Sequence, residues 1–201
     1  MGIDVYLYEQ EGEEWVANSE PERLANTDLF LVMAYMFGMV LDPIRHAAET
    51  CTDPDLREQF TEGVEEFDRY LAEHREEGLA RFEGYYEFLK KTLDQVRAQG
   101  MEEILGGNVV EQLALEDIHE DSRAFFGWFM LSSRELEPEE LIRPAPIIGM
   151  ALGMMNQTAQ QYRDEDENLA RMMADAYSCL EVAARFSDQA MTESKRLFFS
   201  C

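Results

Sequence analysis

The chain has 201 residues, of which 46 % are hydrophobic, and 42 acidic against 17 basic side chains give it a formal net charge of −25. The length fits a single domain, and the apolar content excludes an intrinsically disordered chain. The acid excess argues against direct binding to nucleic acid or to an anionic membrane surface, because both require basic protein surface.

The N-terminal 18 residues predict a β-hairpin. Ile3, Val5 and Leu7 alternate with polar or aromatic residues, as in a strand, and Gly12 lies in a polar segment that suits a turn. The segment also lacks a basic region followed by an apolar core, so no secretory signal is predicted.

The next segment predicts a buried helix. Ser19 and Glu22 have the spacing of a capping box, which predicts a helix that ends at Asp42-Pro43. Residues 29–41 contain no charged or amide side chain. As a helix this stretch is only about 20 Å long, which is too short for a bilayer, so we expect a core helix and no membrane contact.

The rest of the chain has helical periodicity. An apolar stripe begins near Leu56 and continues to Val96, with Gly78 and Gly84 as the expected kinks. A further helix is predicted from Asn108 to about residue 133, and residues 137–146 form a proline-containing connector. Residues 148–197 keep a 3.5-residue apolar period, which is typical of helices packed side by side.

These patterns predict a mainly α fold, in which an antiparallel bundle of long helices carries a small N-terminal β-hairpin. Residues 1–201 form one domain in this interpretation, with the hairpin at 1–18 and the bundle at 19–201. The three widely spaced cysteines fit a reducing compartment better than a disulfide framework, so we expect a cytoplasmic protein.

One residue pair suggests metal chemistry. Glu116 and His119 are three positions apart, and on one helix face this spacing serves iron, manganese or zinc in carboxylate-bridged helical bundles. Such a site needs carboxylates from other helices and usually a second Glu-x-x-His, which this chain lacks. An ordinary histidine on an acidic helix is therefore the preferred interpretation, and no cofactor is expected.

Two runs of acids are candidates for contact with a basic protein, because arginines do not interrupt them as they interrupt the acids of residues 53–87. The first run contains Glu135, Glu137, Glu139 and Glu140. The second contains Asp164, Glu165, Asp166 and Glu167.

Gly149 and Gly153 form a G-x-x-x-G pattern among methionines. In a soluble bundle this spacing favours a tight helix crossing, and a methionine-lined, adaptable binding surface is the alternative.

No nucleophile motif, phosphate-binding loop or dinucleotide fingerprint is present, so an enzyme is the less favoured class. The leading hypothesis is an acidic helical binding protein that recognises a basic protein, as an immunity protein, inhibitor or chaperone does. One alternative is a ferritin-like or related metal enzyme at Glu116 and His119. A nucleic-acid mimic is the other alternative, and a homodimer is compatible with each.

Overall fold

A computed structural model describes residues 2–11, 14–17, 20, 22–100, 109–161 and 167–200. The helices are α1 (Thr27–Thr50), α2 (Pro54–Ala98), α3 (Val109–Gln112), α4 (Glu120–Phe129), α5 (Pro138–Ile142), α6 (Ala145–Gln161) and α7 (Glu167–Glu193), with a 3₁₀ turn at Leu115–Asp117. The strands are β1 (Gly2–Glu11), β2 (Glu14–Ala17), β3 (Glu22–Asn26), β4 (Glu135–Leu136) and β5 (Arg196–Ser200). The predicted mainly α fold with a small β element is confirmed.

The sheet is antiparallel and has β1 at its centre. β2 and β3 pair with β1, β5 also pairs with β1, and β4 lies beyond β5. Ile3, Val5 and Leu7 are buried, as the alternation predicts. The expectation of a helix continuing through Leu197 is wrong: α7 ends at Glu193, Ser194 adopts a positive φ of 53°, and the chain returns as β5.

Helix α1 forms the centre of the core. Leu31, Phe37 and Leu41 are completely buried, and the Phe37 ring stacks on Phe125 of α4 with 5.1 Å between centroids. By length and composition alone Leu29–Thr50 is able to cross a membrane, but 61 % of its most apolar window is buried inside the fold. A buried core helix can have the same length and apolar composition as a membrane-spanning helix.

Both predicted ends of α1 are wrong. The helix begins at Thr27, because Glu22–Asn26 is recruited into the sheet as β3; Ser19 lies outside the described residues. The helix also continues past Pro43 to Thr50. Pro43 cannot bond to the carbonyl of Met39, but Met39 lies at the surface, where water can substitute. The buried side chain of Ile44 then holds the last turns on the core.

Helix α2 is a single element of 45 residues. The kinks expected at Gly78 and Gly84 stay predictions. Asp53 caps its first turn by accepting hydrogen bonds from the backbone N–H groups of Asp55 and Leu56. Helix α2 packs along α4 on one side, and the N-terminal part of α2 approaches α6.

The long helix predicted from Asn108 is replaced by short elements. Asn108 itself lies outside the described residues, and α3 and the 3₁₀ turn are followed by extended backbone at Ile118 before α4 begins. Ile118 is completely buried, which draws this part of the chain into the core and interrupts the helix. The predicted connector at 137–146 instead holds α5 and the first residues of α6.

Candidate functional site: an apolar groove between α2 and α6

An open groove of about 860 Å³ lies between the N-terminal half of α2 and the chain that links α5 to α6. This volume is within the range of ligand pockets in proteins. The lining residues are Leu56, Gln59, Phe60, Glu62, Gly63, Glu66, Arg69, Ile142, Arg143, Pro146 and Met150.

Helix α2 supplies one wall of the groove through helical spacing. Leu56, Phe60 and Gly63 are separated by four and three residues, so they lie on one face of the helix. The apolar periodicity of the sequence predicts that this face of the helix is buried in the core. Leu56, however, is 48 % exposed and Phe60 is only half-buried.

The opposite wall comes from the end of α5 and the start of α6. Ile142 is 58 % exposed, which is the highest exposure among the large apolar side chains described. The side chain of Met150 reaches across the groove toward α2. A Cβ atom added to Gly63 would lie 2.5 Å from the Cε atom of Met150. Gly63 therefore leaves room for a flexible thioether, which can repack around different apolar groups.

Ion pairs close one end of the groove. Arg143 donates two hydrogen bonds to Glu73, of 2.8 and 2.9 Å, and one of 3.3 Å to Glu66. The bonds to Glu73 raise the pKa of Arg143 further above its usual range and lower the pKa of Glu73. Arg69 also pairs with Glu66. Both arginines of the lining thus have their charges balanced by carboxylates.

The remaining polar lining is acidic or neutral. Glu62 is exposed and has no ion pair within the part of the chain that the structure describes, and Gln59 is also exposed. The groove therefore combines an apolar floor, an end where the charges of the arginines are balanced by carboxylates, and the unpaired carboxylate of Glu62. Such a lining suits an apolar side chain that has a cationic neighbour.

The first predicted acid run differs from the expectation of unpaired acids. Arg196 lies 2.9 Å from Glu135 and 2.6 Å from Glu137, and Arg134 lies 2.8 Å from Glu140. Arg196 was not predictable as a partner, because it comes from β5 and is far away in sequence. Glu139 is exposed and has no ion pair to any described residue.

Only the end of the second acid run is described. Glu167 is exposed at the start of α7, whereas Asp164, Glu165 and Asp166 lie outside the described residues. A partner-binding role for either run stays a prediction.

Glu116 and His119 do not share a helix face. Glu116 is exposed in the 3₁₀ turn, and His119 caps α4, where its Nδ1 atom accepts a hydrogen bond of 3.2 Å from the N–H of Asp121. The Nε2 atom of His119 is 3.7 Å from Asp42. No group of three or more His, Cys, Asp or Glu side chains is placed to hold a metal among the described residues.

A partly buried ionic junction joins α1, α2 and α4 behind this cap. Asp121 accepts hydrogen bonds of 2.7 Å from Arg45 and 2.5 Å from Arg75. Burial disfavours the charge of Asp121, but the two arginines outweigh it, and the pKa of the carboxyl falls below its ordinary value. Since every group here is bound to another, the junction holds helices together and offers no open site.

Comparison of the chain with protein-family models, with curated proteins and with solved structures finds no match in any of the three. Inferences about function therefore rest on the residues and on the groove geometry.

Proposed function

We propose that this chain is a non-enzymatic binding protein that takes an amphipathic, basic segment of another protein into the groove between α2 and α6. An inhibitor, an immunity protein or a chaperone acts in this way. The observation that carries the proposal is an open apolar groove, flanked by the exposed side chains of Leu56 and Ile142, on a chain with a net charge of −25.

In this proposal the affinity for the partner segment comes mainly from apolar contacts. Complete burial of a leucine or isoleucine side chain contributes about 1.5–3 kcal/mol, so covering Leu56 and Ile142 favours binding even before the partner's own apolar groups are counted. Met150 and Gly63 make the floor adaptable, which suits a helix laid into the groove with apolar anchors along one face.

In this proposal the net charge of the chain determines which partners bind. A strongly negative chain attracts basic proteins over a distance and accelerates their association, while it repels acidic ones. Glu62 offers a free carboxylate at the groove, and the pairing of Arg69 and Arg143 reduces their repulsion of an incoming cation. Glu139 and the run at residues 164–167 are further candidates for this attraction.

Two peptides and three variants test the proposal. A fluorescent amphipathic peptide of leucine and lysine is the probe, and the same peptide with glutamate in place of lysine is its control. We expect binding of the lysine peptide only, with an affinity that falls as salt is raised. Leu56→Ser and Ile142→Ser are each expected to weaken binding about tenfold, because each removes an apolar contact worth over 1 kcal/mol.

Phe88→Ser is the matched control variant. Phe88 is on the same helix as Leu56 and is similarly exposed, at 45 %, but it does not line the groove. Equal losses for Phe88→Ser and Leu56→Ser, or equal binding of the two peptides, would contradict the proposal.

A further inference from the structure

The charge along the groove between α2 and α6 is unevenly distributed. On α2, steps of three and four residues place Asp55, Glu58 and Glu62 on one side of the helix, and Glu62 lines the groove itself. All three acids are exposed, and none has an ion pair within the part of the chain that the structure describes. The half of the groove that contains Leu56 therefore carries three unpaired carboxylates.

The other half of the groove has balanced charges. The same side of α2 continues with Glu66, Arg69 and Glu73. Glu66 and Glu73 each accept hydrogen bonds from Arg143, and Arg69 also pairs with Glu66. Two carboxylates thus face two guanidinium groups. The change from unpaired acids to a balanced set occurs within about 20 Å, which is the rise from Leu56 to Arg69 on a helix.

The wall that α6 supplies is apolar and adds no charge to either half. The 17 residues of this helix include no acid and no base, and Pro146 and Met150 are the ones that line the groove. A Cβ atom added to Gly149 or Gly153 of the same helix would meet no described atom within 4 Å, so the predicted tight crossing at this G-x-x-x-G pattern is wrong. The charge difference along the groove therefore comes from α2 and Arg143.

Two positive contributions near the start of α2 do not cancel its three carboxylates. The partial positive charge at a helix N-terminus is about half an elementary charge, which is well below three carboxylates. Arg57 is exposed, but it is two positions from Asp55 and one from Glu58, so it does not share their side of the helix. The Leu56 half of the groove stays negative.

We propose that this charge difference orients the bound segment: the partner segment carries its cations at one end, and that end lies over Asp55, Glu58 and Glu62. The inference rests on the proposed function, because it concerns the same groove. The opposite orientation would bring the cations beside Arg69 and Arg143 and leave the three carboxylates without a partner. Since like charges placed opposite each other are strongly unfavourable, the groove discriminates against that orientation.

Glu62 is the specificity-determining residue in this proposal, because it alone among the three acids lines the groove. Glu62→Gln is expected to weaken binding of the leucine–lysine peptide about two- to fivefold, the range for one exposed ion pair. Glu87→Gln is the matched control. Glu87 is exposed on the same helix but lies outside the groove, so its removal lowers the net charge equally and should leave the affinity nearly unchanged.

A spin-labelled peptide measures the orientation directly. The probe is an amphipathic peptide of leucine and glutamine that has three lysines at its C-terminal end, with a nitroxide at one end or the other. The ¹⁵N amide signals of Leu56 and Arg69 report on the two halves of the groove. With the nitroxide at the lysine end, the Leu56 signal is expected to broaden more than the Arg69 signal, and with the nitroxide at the other end the order reverses.

A triple variant that combines Asp55→Asn, Glu58→Gln and Glu62→Gln removes the charge difference. It is expected to bind the probe through the apolar lining but to lose the preferred orientation, and circular dichroism verifies that it is folded. Equal broadening of both amide signals in the wild type would overturn the proposal. So would an unchanged orientation in the triple variant, or equal losses for Glu62→Gln and Glu87→Gln.

These results are distinguishable from a failure of the proposed function. In each of them the peptide is still bound, and a loss of affinity in Leu56→Ser still places it in the groove. A probe that does not bind, although the leucine–lysine peptide does, overturns the orientation alone. If neither peptide binds, the proposed function is wrong and the orientation with it.

Discussion

Gly78 and Gly127 face each other where α2 crosses α4, and neither position has room for a Cβ atom. A Cβ on Gly78 would overlap the carbonyl oxygen of Ala124, and one on Gly127 would overlap the carbonyl oxygen of Gly78. Because backbone atoms cannot move aside as a flexible side chain can, this pair sets how closely the two helices pack. The core rings of α1 then fit against Phe125 and Phe126 of α4.

Gly78→Ala is expected to destabilise the protein by about 3 kcal/mol, which is at the upper end of the cost of overpacking a core. Gly84→Ala is the control on the same helix: it has open space, and alanine favours a helix over glycine by about 1 kcal/mol. Urea denaturation of both variants measures the two effects. Equal stability of the two variants would show that the crossing is looser than described.

Phe37→Ala is expected to cost about 3–5 kcal/mol, the usual range for a completely buried aromatic side chain. The Phe37 ring contacts those of Phe67, Phe125 and Phe126, so the cavity would be surrounded by rigid rings that cannot collapse into it. Thermal and urea denaturation give the value. A loss below about 1 kcal/mol would mean that α1 is not the centre of the core.

Asp121→Asn is expected to destabilise the protein by about 2 kcal/mol at pH 7. The loss should be smaller than for a fully buried ion pair, because Arg45 and Arg75 keep partial contact with water. The pKa of Asp121 is lower in the folded than in the unfolded chain, so its contribution is present above about pH 4 and disappears as pH falls through the folded pKa.

The difference in stability between wild type and Asp121→Asn should therefore shrink below about pH 4. Glu120→Gln is the control, because Glu120 pairs with Arg75 at an exposed position, and its loss should cost at most about 1 kcal/mol. If the stability difference between wild type and Asp121→Asn stays constant from pH 7 to pH 3, this result would argue against the ionic junction.

His119→Ala is expected to lower stability by about 1 kcal/mol through loss of the α4 cap, and His119→Asn to restore most of it, since asparagine caps helices well. We expect no stoichiometric iron, manganese or zinc in wild-type protein purified without chelator. Elemental analysis measures this. One metal or more per chain, lost in both variants, would favour the metal-enzyme alternative.

The burial of α1 was predictable because it follows from composition within one segment. Residues 29–41 have no polar face to present to water, so any compact fold must enclose most of them. The strand β1 was predictable for a similar reason, since the period of two is visible in Ile3, Val5 and Leu7 alone.

The ends of the elements were less predictable because they depend on distant residues. β5 pairs with β1 from the other end of the chain, and its five residues are too few to separate a strand from the last turn of a helix. Pro43 ends many helices, but here the buried Ile44 and the ion pairs of Arg45 hold the next turn in place. Tertiary contacts thus override the local signal.

The groove was not predictable from periodicity, because a stripe does not tell which of its residues lack a covering helix. Leu56 follows the same spacing as the buried Phe67 and Leu71 on α2. Likewise, a run such as Glu135 to Glu140 looks unpaired until β5 places Arg196 beside it. Both features depend on which segments the fold brings together.

The position of a bound peptide on the groove tests the central claim most directly. Met150 lines the groove and Met39 is exposed on α1 away from it, so the two ¹³C-labelled methyl groups report on different surfaces. Titration with the leucine–lysine peptide is predicted to shift the Met150 methyl signal and leave the Met39 signal in place, with the shift weakened by Leu56→Ser. A peptide that binds without moving the Met150 signal, or that moves both signals equally, would contradict the assignment of the groove as the binding site.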